Sequence, residues 1–194
     1  ILQSWADNVW DTGIAFGTVA GKRGDTTVEV TTYRTEQYDP ESRKPEVEYG
    51  DSIHGDLSRR DFTVNSMALE LTGEKPEFID PFNGLQDLAA RVLRTPVRAG
   101  DSFNDDPLRM MRAARFASQL DFQIAPEVLA SMKDLAHRIS IISAERVRDE
   151  FVKIIMSPSP RIGITLLVDT GLADIVLPEI PKLRLEVDEH HHHK

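Results

Sequence analysis

Cysteine is absent from the 194 residues, which excludes disulfide staples and thiolate metal sites. A reducing cytosol, and so a cytoplasmic location, fits that absence. Long apolar runs are missing as well. Ile162 to Val168 is among the longest, far short of the roughly 20 residues a membrane-spanning helix needs, so no membrane partner is expected. The opening Ile1-Leu2-Gln3-Ser4-Trp5 has neither the basic segment nor the apolar stretch of a signal peptide. It also has no initiator methionine, so a chain whose beginning is missing is expected. Basic charge is scarce: 23 Lys and Arg stand against 32 Asp and Glu, a formal net charge of -9, which excludes a general nucleic-acid coat. Any contact with RNA or a nucleotide is then confined to a local patch. Residues 91–115 offer one, with six arginines (91, 94, 98, 109, 112, 115) against three aspartates (101, 105, 106), hence +3.

Leu2, Trp5 and Val9 stand at helical spacing, which predicts the end of a helix over residues 1–12. Ile14 to Val19 and Thr26 to Tyr33 are rich in β-forming residues. Gly21-Lys22-Arg23-Gly24-Asp25 between them has turn composition, so the pair predicts a hairpin. Arg34 to Tyr49 is polar and broken by Pro40 and Pro45, which predicts a mobile loop. Asp51 to Leu57 reads as a short helix, Val64 to Leu71 as a third strand and Glu77 to Asp80 as a fourth. Pro81-Phe82-Asn83-Gly84 turns the chain into a short helix ending near Ala90, and Val92-Leu93-Arg94 is expected as the last strand.

Beyond Pro96 the pattern becomes helical. Met110, Ala113, Ala114 and Ala117 at i, i+3, i+4, i+7 make one apolar helix face. Pro126 suits a helix start, with Val128, Leu129, Met132 and Leu135 turned inward. Ser143 reads as the N-cap of a helix with Val147, Phe151, Ile154 and Ile155 as its core stripe. A further helix runs from Ile162 to Asp169 and stops at Gly171. The sequence thus predicts an α+β chain with a boundary near Pro96.

Three stretches carry chemistry. In Arg59-Arg60-Asp61-Phe62-Thr63-Val64-Asn65-Ser66-Met67, two arginines, an aspartate and an asparagine crowd into seven residues. Adjacent guanidiniums suit phosphate or a carboxylate, although a surface turn with Asp61 as a helix cap fits the same residues. In Asn104-Asp105-Asp106-Pro107-Leu108-Arg109-Met110-Met111-Arg112-Ala113-Ala114-Arg115-Phe116, Asp106 and Arg109 are three apart, which on a helix places them on one face. An acceptor beside a guanidinium fork can read a base edge; an internal salt bridge fits equally. Arg109, Arg112 and Phe116 form a neighbouring stripe suited to phosphate or an RNA backbone. The third stretch, Asp80-Pro81-Phe82-Asn83-Gly84-Leu85-Gln86-Asp87-Leu88, reads as a turn and helix cap.

In this order and spacing the stretches resemble the class II tRNA nucleotidyltransferase (CCA-adding enzyme) and bacterial poly(A) polymerase family. That family shows RRDFTxNA, DPFxGxxDL and EDxLRxxRAxRF patterns, matched here from Arg59, Asp80 and Asp105. Ser66 departs from the usual alanine and Asp105 from the usual glutamate. Val28 to Arg34 is similar to the family's third-carboxylate strand, and Ile139 to Arg146 with Glu150-Phe151 to its neck helices. The resemblance implies a partial polymerase-β-like nucleotidyltransferase head over residues 1–96 and an all-helical neck over 97–194, leading toward a possible HD-type domain.

It also implies an activity, the joining of CTP or ATP to an RNA 3′ end with two metal ions, in the form of CCA addition to tRNA. A poly(A) polymerase and a non-catalytic RNA- or nucleotide-binding module are the alternatives. Carried over by position, Glu29 is the third metal carboxylate. Arg60, Asp61 and Asn65 position the ribose and triphosphate, Asp106 and Arg109 pair with the incoming base, and Arg112 and Arg115 help with the triphosphate. The family's DxD carboxylate pair is expected before Ile1; Asp7 and Asp11 have the wrong spacing and are expected on a helix. Glu29 alone cannot hold two Mg2+ ions, so the segment by itself is expected to be inactive, with Mg2+ ligated mainly by residues absent from the chain. The terminal run Asp188 to Lys194 fits an expression tag, and it also resembles the entry to an HD-type phosphohydrolase domain, the reading we favour.

Overall fold

Thr26, Thr27, Val28, Val30 and Thr31 are β-branched and favour extended backbone, and the chain is a strand there. The computed structural model describes residues 2–11, 14, 17–37, 46–49 and 52–183, with 34–37 and 46–49 described by their backbone. The chain divides into two units, Ile1–Arg59 and Arg60–Lys194.

In the first unit a short helix α1 (Leu2–Trp5) leads into β1 (Asn8–Trp10), followed by β2 (Thr18–Arg23) and β3 (Thr26–Thr31). The three strands form an antiparallel sheet in the order β1-β2-β3, with Val9 opposite Gly21 and Ala20 opposite Glu29. The expected hairpin is present, but its first strand begins at Thr18 rather than Ile14, which lies in a turn, and its own turn is tighter than composition suggests. Gly21, Lys22 and Arg23 belong to β2, and the chain reverses at Gly24, whose φ is 55°. A side chain at Gly21 would press on Ala6 Cβ at 3.0 Å, so the glycine serves the packing of α1 on β2 rather than a turn.

Two expectations in this unit are corrected. Asp7 and Val9 are not helical: α1 ends at Trp5, and Val9 pairs across the sheet. The ladder supplies partners to backbone groups that one more turn of a short helix could not. Arg34 to Tyr49 is not loop throughout, because β4 (Arg34–Gln37) and β5 (Glu46–Tyr49) pair antiparallel, Arg34 opposite Tyr49. The polar–apolar alternation of Glu46-Val47-Glu48-Tyr49 outweighs the polarity of the stretch; residues 38–45 lie outside those described. The expected short helix follows as α2 (Ile53–Ser58), with the Ser52 hydroxyl accepting from Gly55 N.

The second unit begins with a single 3-10 turn at Thr63–Asn65, so the strand expected from Val64 shortens to β6 (Ala68–Glu70). It pairs with β7 (Glu77–Ile79). Helix α3 (Gly84–Ala90) and β8 (Val92–Leu93) follow, then α4 (Ala99–Asp105), α5 (Leu108–Leu120) and β9 (Gln123–Ile124). β8 is not the last strand: Val92 and Leu93 pair in parallel with Gln123 and Ile124. Two residues carry too little pattern for β9 to be seen in sequence. Helices α6 (Pro126–Leu135), α7 (Ala144–Ile155), α8 (Pro160–Asp169), α9 (Leu172–Val176) and α10 (Glu179–Lys182) complete the unit.

Helix α5 is its centre. Met110, Ala113, Ala114 and Ala117 are all at most 1% exposed, as their spacing predicts, and α5 packs against both α7 and α8. Val128 and Met132 of α6 and Ile154 of α7 complete the core with Phe62, Leu93 and Phe103. Ile155 is 42% exposed and leaves the expected stripe, since Ile154 takes the inward position. Asp188 to Lys194 lie outside the described residues. Among those described, no helix is long and apolar enough to cross a membrane.

Candidate functional site

Asp61 is buried at the head of the second unit, and its carboxylate is fully engaged. Oδ1 accepts from Phe62 N at 2.9 Å and Asn65 Nδ2 at 3.1 Å. Oδ2 accepts from Arg112 Nε at 2.9 Å and from Arg112 Nη2. A carboxylate has about four acceptor positions, and protein groups occupy all of them. The bond to Arg112 joins the first charged stretch to α5, 51 residues away. Arg60, exposed, donates from Nη1 to the Asn65 carbonyl at 2.8 Å, which closes the turn over Asp61.

The Asp80 stretch joins the same centre. Asp80 accepts from Gly84 N at 2.6 Å and Leu85 N at 3.0 Å, capping α3 as its sequence suggests. Asn83 takes the left-handed conformation with φ 58°, a backbone state that asparagine tolerates. A Cβ on Gly84 would meet the Thr63 carbonyl oxygen at 2.2 Å, so only glycine lets α3 approach the turn at 63–65. Thr63 Oγ1 then donates to Asp87 Oδ2 at 2.8 Å, and Thr63 N to the Arg94 carbonyl at 2.8 Å. Arg94 pairs with Asp87 at 3.5 Å and with Glu127.

Asp106 is not on a helix with Arg109. It caps the end of α4 in extended backbone, φ -140° and ψ 98°, because the residue before a proline is pushed out of the helical region. Pro107 then starts α5. Asp106 Oδ1 accepts from Leu108 N at 3.1 Å, and Oδ2 from Arg146 Nη2 of α7 at 3.2 Å. Arg109 follows one turn on, tied by its N–H to the Asp106 carbonyl at 3.0 Å. Its side chain is buried, with Nη1 donating to Ser102 Oγ at 2.8 Å. The sequence thus identifies two neighbours whose side-chain partners, Arg146 and Ser102, it does not reveal.

The arginine stripe is graded in burial. Arg112 reaches Asp61 and lies 5.8 Å from the Phe116 ring centre; Arg115 stacks at 4.3 Å. Phe116 in turn meets Phe62 edge-on, with ring centres 5.7 Å apart. Arg115 Nε lies 3.0 Å from Glu150 Oε2, yet neither atom makes a hydrogen bond. The contact is a charge pair of poor alignment. Glu150 also accepts from Lys153 Nζ at 3.0 Å. Burial lowers the pKa of Arg115 from its ordinary value, opposed by Glu150 and assisted by Arg112. Asp87, Arg146 and Glu150 were not identified as site residues in the sequence, since each acts across 24 or more residues; Ser102, only seven residues from Arg109, carries no pattern of its own.

Glu29 belongs to the first unit, exposed on β3. Among the described residues no group of three or more His, Asp or Glu could hold a metal ion. A lone carboxylate does not fit the octahedral oxygen ligation of Mg2+.

Residues 1–94 match the family model described as "Poly A polymerase head domain". Residues 121–183 match the one described as "Probable RNA and SrmB- binding site of polymerase A". A CCA-adding enzyme of Lactobacillus johnsonii is 41% identical over 175 residues, 90% of this chain and 42% of that protein. The chain belongs to the class II tRNA nucleotidyltransferase and poly(A) polymerase family. A CCA-adding enzyme of Streptococcus sanguinis is 39% identical over 183 residues, covering 94% of this chain and 45% of the relative. The crystal structure of the Bacillus stearothermophilus CCA-adding enzyme in complex with CTP matches with a TM-score of 0.78 at 34% identity, over 94% of this chain and 44% of that one. A tRNA nucleotidyltransferase complexed with a primer tRNA and an incoming ATP analog matches with a TM-score of 0.71 at 28% identity, over 88% and 47%. The chain therefore spans less than half the length of the curated relatives it matches. The nucleotidyltransferase family is metal-dependent, and the fold of this member is the expected α+β head and helical neck.

Proposed function

We propose that this chain is the nucleotide-selecting part of an enzyme that adds CCA to tRNA 3′ ends from CTP and ATP. One observation carries the reading: Asp106 stands beside α5 with about two of its four acceptor positions unused, whereas Asp61 has none. Asp106 is then suited to accept from a ligand, and Asp61 to hold the arginine that meets it. The similarity to CCA-adding enzymes supports tRNA as the acceptor and CTP and ATP as donors. We extend the proposal to a head over residues 1–96 and a neck over 97–194, and to a cytoplasmic location.

In this reading Asp106 accepts the amino N–H of cytosine or adenine, and Arg109 donates to the ring nitrogen. Uracil and guanine present a carbonyl and a ring N–H at the same edge, leaving like groups opposed. Asp61 and Asn65 order the turn that holds Arg112. Arg60, Arg112 and Arg115 neutralise the triphosphate, because a nucleotide entering a chain of net charge -9 needs local positive charge. Glu29 is the proposed metal carboxylate, and Mg2+ binding requires further carboxylates beside it. The residues described above position and select.

The test is single-nucleotide incorporation on a tRNA lacking its CCA end, comparing all four NTPs in the full-length enzyme. Asp106→Ala and Arg109→Ala should each relax discrimination against UTP and GTP by about ten- to a hundredfold. Unchanged selectivity in both would refute base reading by this pair. Repeated AMP addition without CMP would identify a poly(A) polymerase instead.

A further inference from the structure

Asp106 lies in the extended link between α4 and α5, outside both helices. Its carboxylate is oriented by hydrogen bonds from the elements on either side. Here one bond falls on each oxygen: Leu108 N–H on Oδ1 at 3.1 Å and Arg146 Nη2 on Oδ2 at 3.2 Å. Two contacts on opposite oxygens fix the rotation of the carboxylate plane, which one contact could not.

Arg146 comes from α7, which is itself anchored. Glu150, one turn further along α7, is 5% exposed and pairs with Arg115 of α5 at 3.0 Å. Residues i and i+4 share a helix face, so the face of α7 that meets the arginine stripe also presents Arg146 to Asp106. A second clasp lies close by, where Arg138 Nη2 donates to the Asn104 carbonyl at 3.1 Å. The end of α4 and the link that follows it are thus held at two points, residue 104 by Arg138 and residue 106 by Arg146.

We propose that Arg146 is a positioning residue for base selection, orienting the Asp106 carboxylate so that its remaining acceptor positions meet the amino group of the incoming base. The inference rests on the reading of Asp106 as the base acceptor. Arg146 touches no reacting atom; it acts through Asp106. The Arg146 side chain is 53% exposed, and exposed ion pairs contribute little to stability. Its removal therefore separates orientation from folding. A lysine in its place keeps the charge and loses the planar fork.

The experiment compares Arg146→Ala, Arg146→Lys, Asp106→Ala and the Arg146→Ala/Asp106→Ala double variant in the full-length enzyme. Incorporation of each NTP on tRNA lacking CCA gives separate kcat and KM values, and thermal melting reports the fold. Arg146→Ala should raise KM for CTP and ATP and increase relative UTP and GTP incorporation, each roughly tenfold, with a nearly unchanged melting temperature. Arg146→Lys should restore part of the selectivity, and the double variant should be no worse than Asp106→Ala alone. Relaxed selectivity in Asp106→Ala with unchanged selectivity in Arg146→Ala would overturn the positioning role and leave the base-reading assignment standing. A lower KM in Arg146→Ala would also overturn it, since Arg146 would then compete with the base. No effect of Asp106→Ala would overturn the assignment itself, and the positioning role with it.

Discussion

Two aspartates in this chain differ less in type than in what is left of their hydrogen-bonding capacity. Asp61 spends its carboxylate on Phe62 N, Asn65 and Arg112, so Asp61→Ala should strand the buried Phe62 N–H and the part-buried groups of Asn65 and Arg112. We expect a loss of about 1–3 kcal/mol, read by chemical denaturation, together with weaker nucleotide binding. Asp106 is bonded through a half-exposed partner, and Asp106→Ala should cost under about 1 kcal/mol while changing base selectivity. Equal stability losses for the two variants would contradict this division. Gly84 makes a comparable point for packing. Its replacement by alanine forces a Cβ against a backbone oxygen that cannot swing aside, and should cost about 1–3 kcal/mol or more in the same denaturation experiment.

At the level of elements, α5 is the shared wall between the core and the proposed site. One side carries Met110, Ala113, Ala114 and Ala117 into the interior, and Arg112 on another reaches Asp61. Small residues on this helix let its neighbours come close. Gly163 of α8 sits where a Cβ would meet Ser118 Oγ at 2.3 Å and Ile154 Cγ2 at 2.6 Å. Gly163→Ala should therefore push α8 from α5 and α7 and cost about 1–3 kcal/mol, while Gly100→Ala, with nothing within 4 Å, should be tolerated. Melting temperatures of the two variants decide the matter; a stable Gly163→Ala protein would show that the contact yields freely.

Across the whole molecule, the acidic excess of the chain repels RNA except where arginines gather. Under the proposed function, binding of a tRNA 3′ end should depend steeply on salt through a few side chains. Arg112→Ala should reduce the slope of log K against log salt by up to about one unit, whereas Lys22→Ala on β2 should leave it unchanged. Fluorescence titration with a short RNA at several salt concentrations would measure both. Equal slopes for the two variants would show that Arg112 meets no RNA phosphate and would confine it to the triphosphate.

Local patterns determined much of this protein before any contact was known. The helical spacing from Met110 to Ala117, the β-branched run at residues 26–31 and the proline at 126 each bias a few neighbouring residues strongly, and they read correctly. So did the Asp80 cap, whose partners lie four and five residues on. The ordered charged stretches identified the family, because their spacing is a property of the chain itself. Tertiary structure decided what those charges hold. Asp61 meets Arg112 across 51 residues and Asp106 meets Arg146 across 40, and no periodicity encodes such a pairing. The short strand at Gln123 and Ile124 was undecided for the same reason: those two residues are a strand only because Val92 and Leu93 lie beside them. A ladder hydrogen bond belongs to two segments at once, and its energy appears only when folding brings both together.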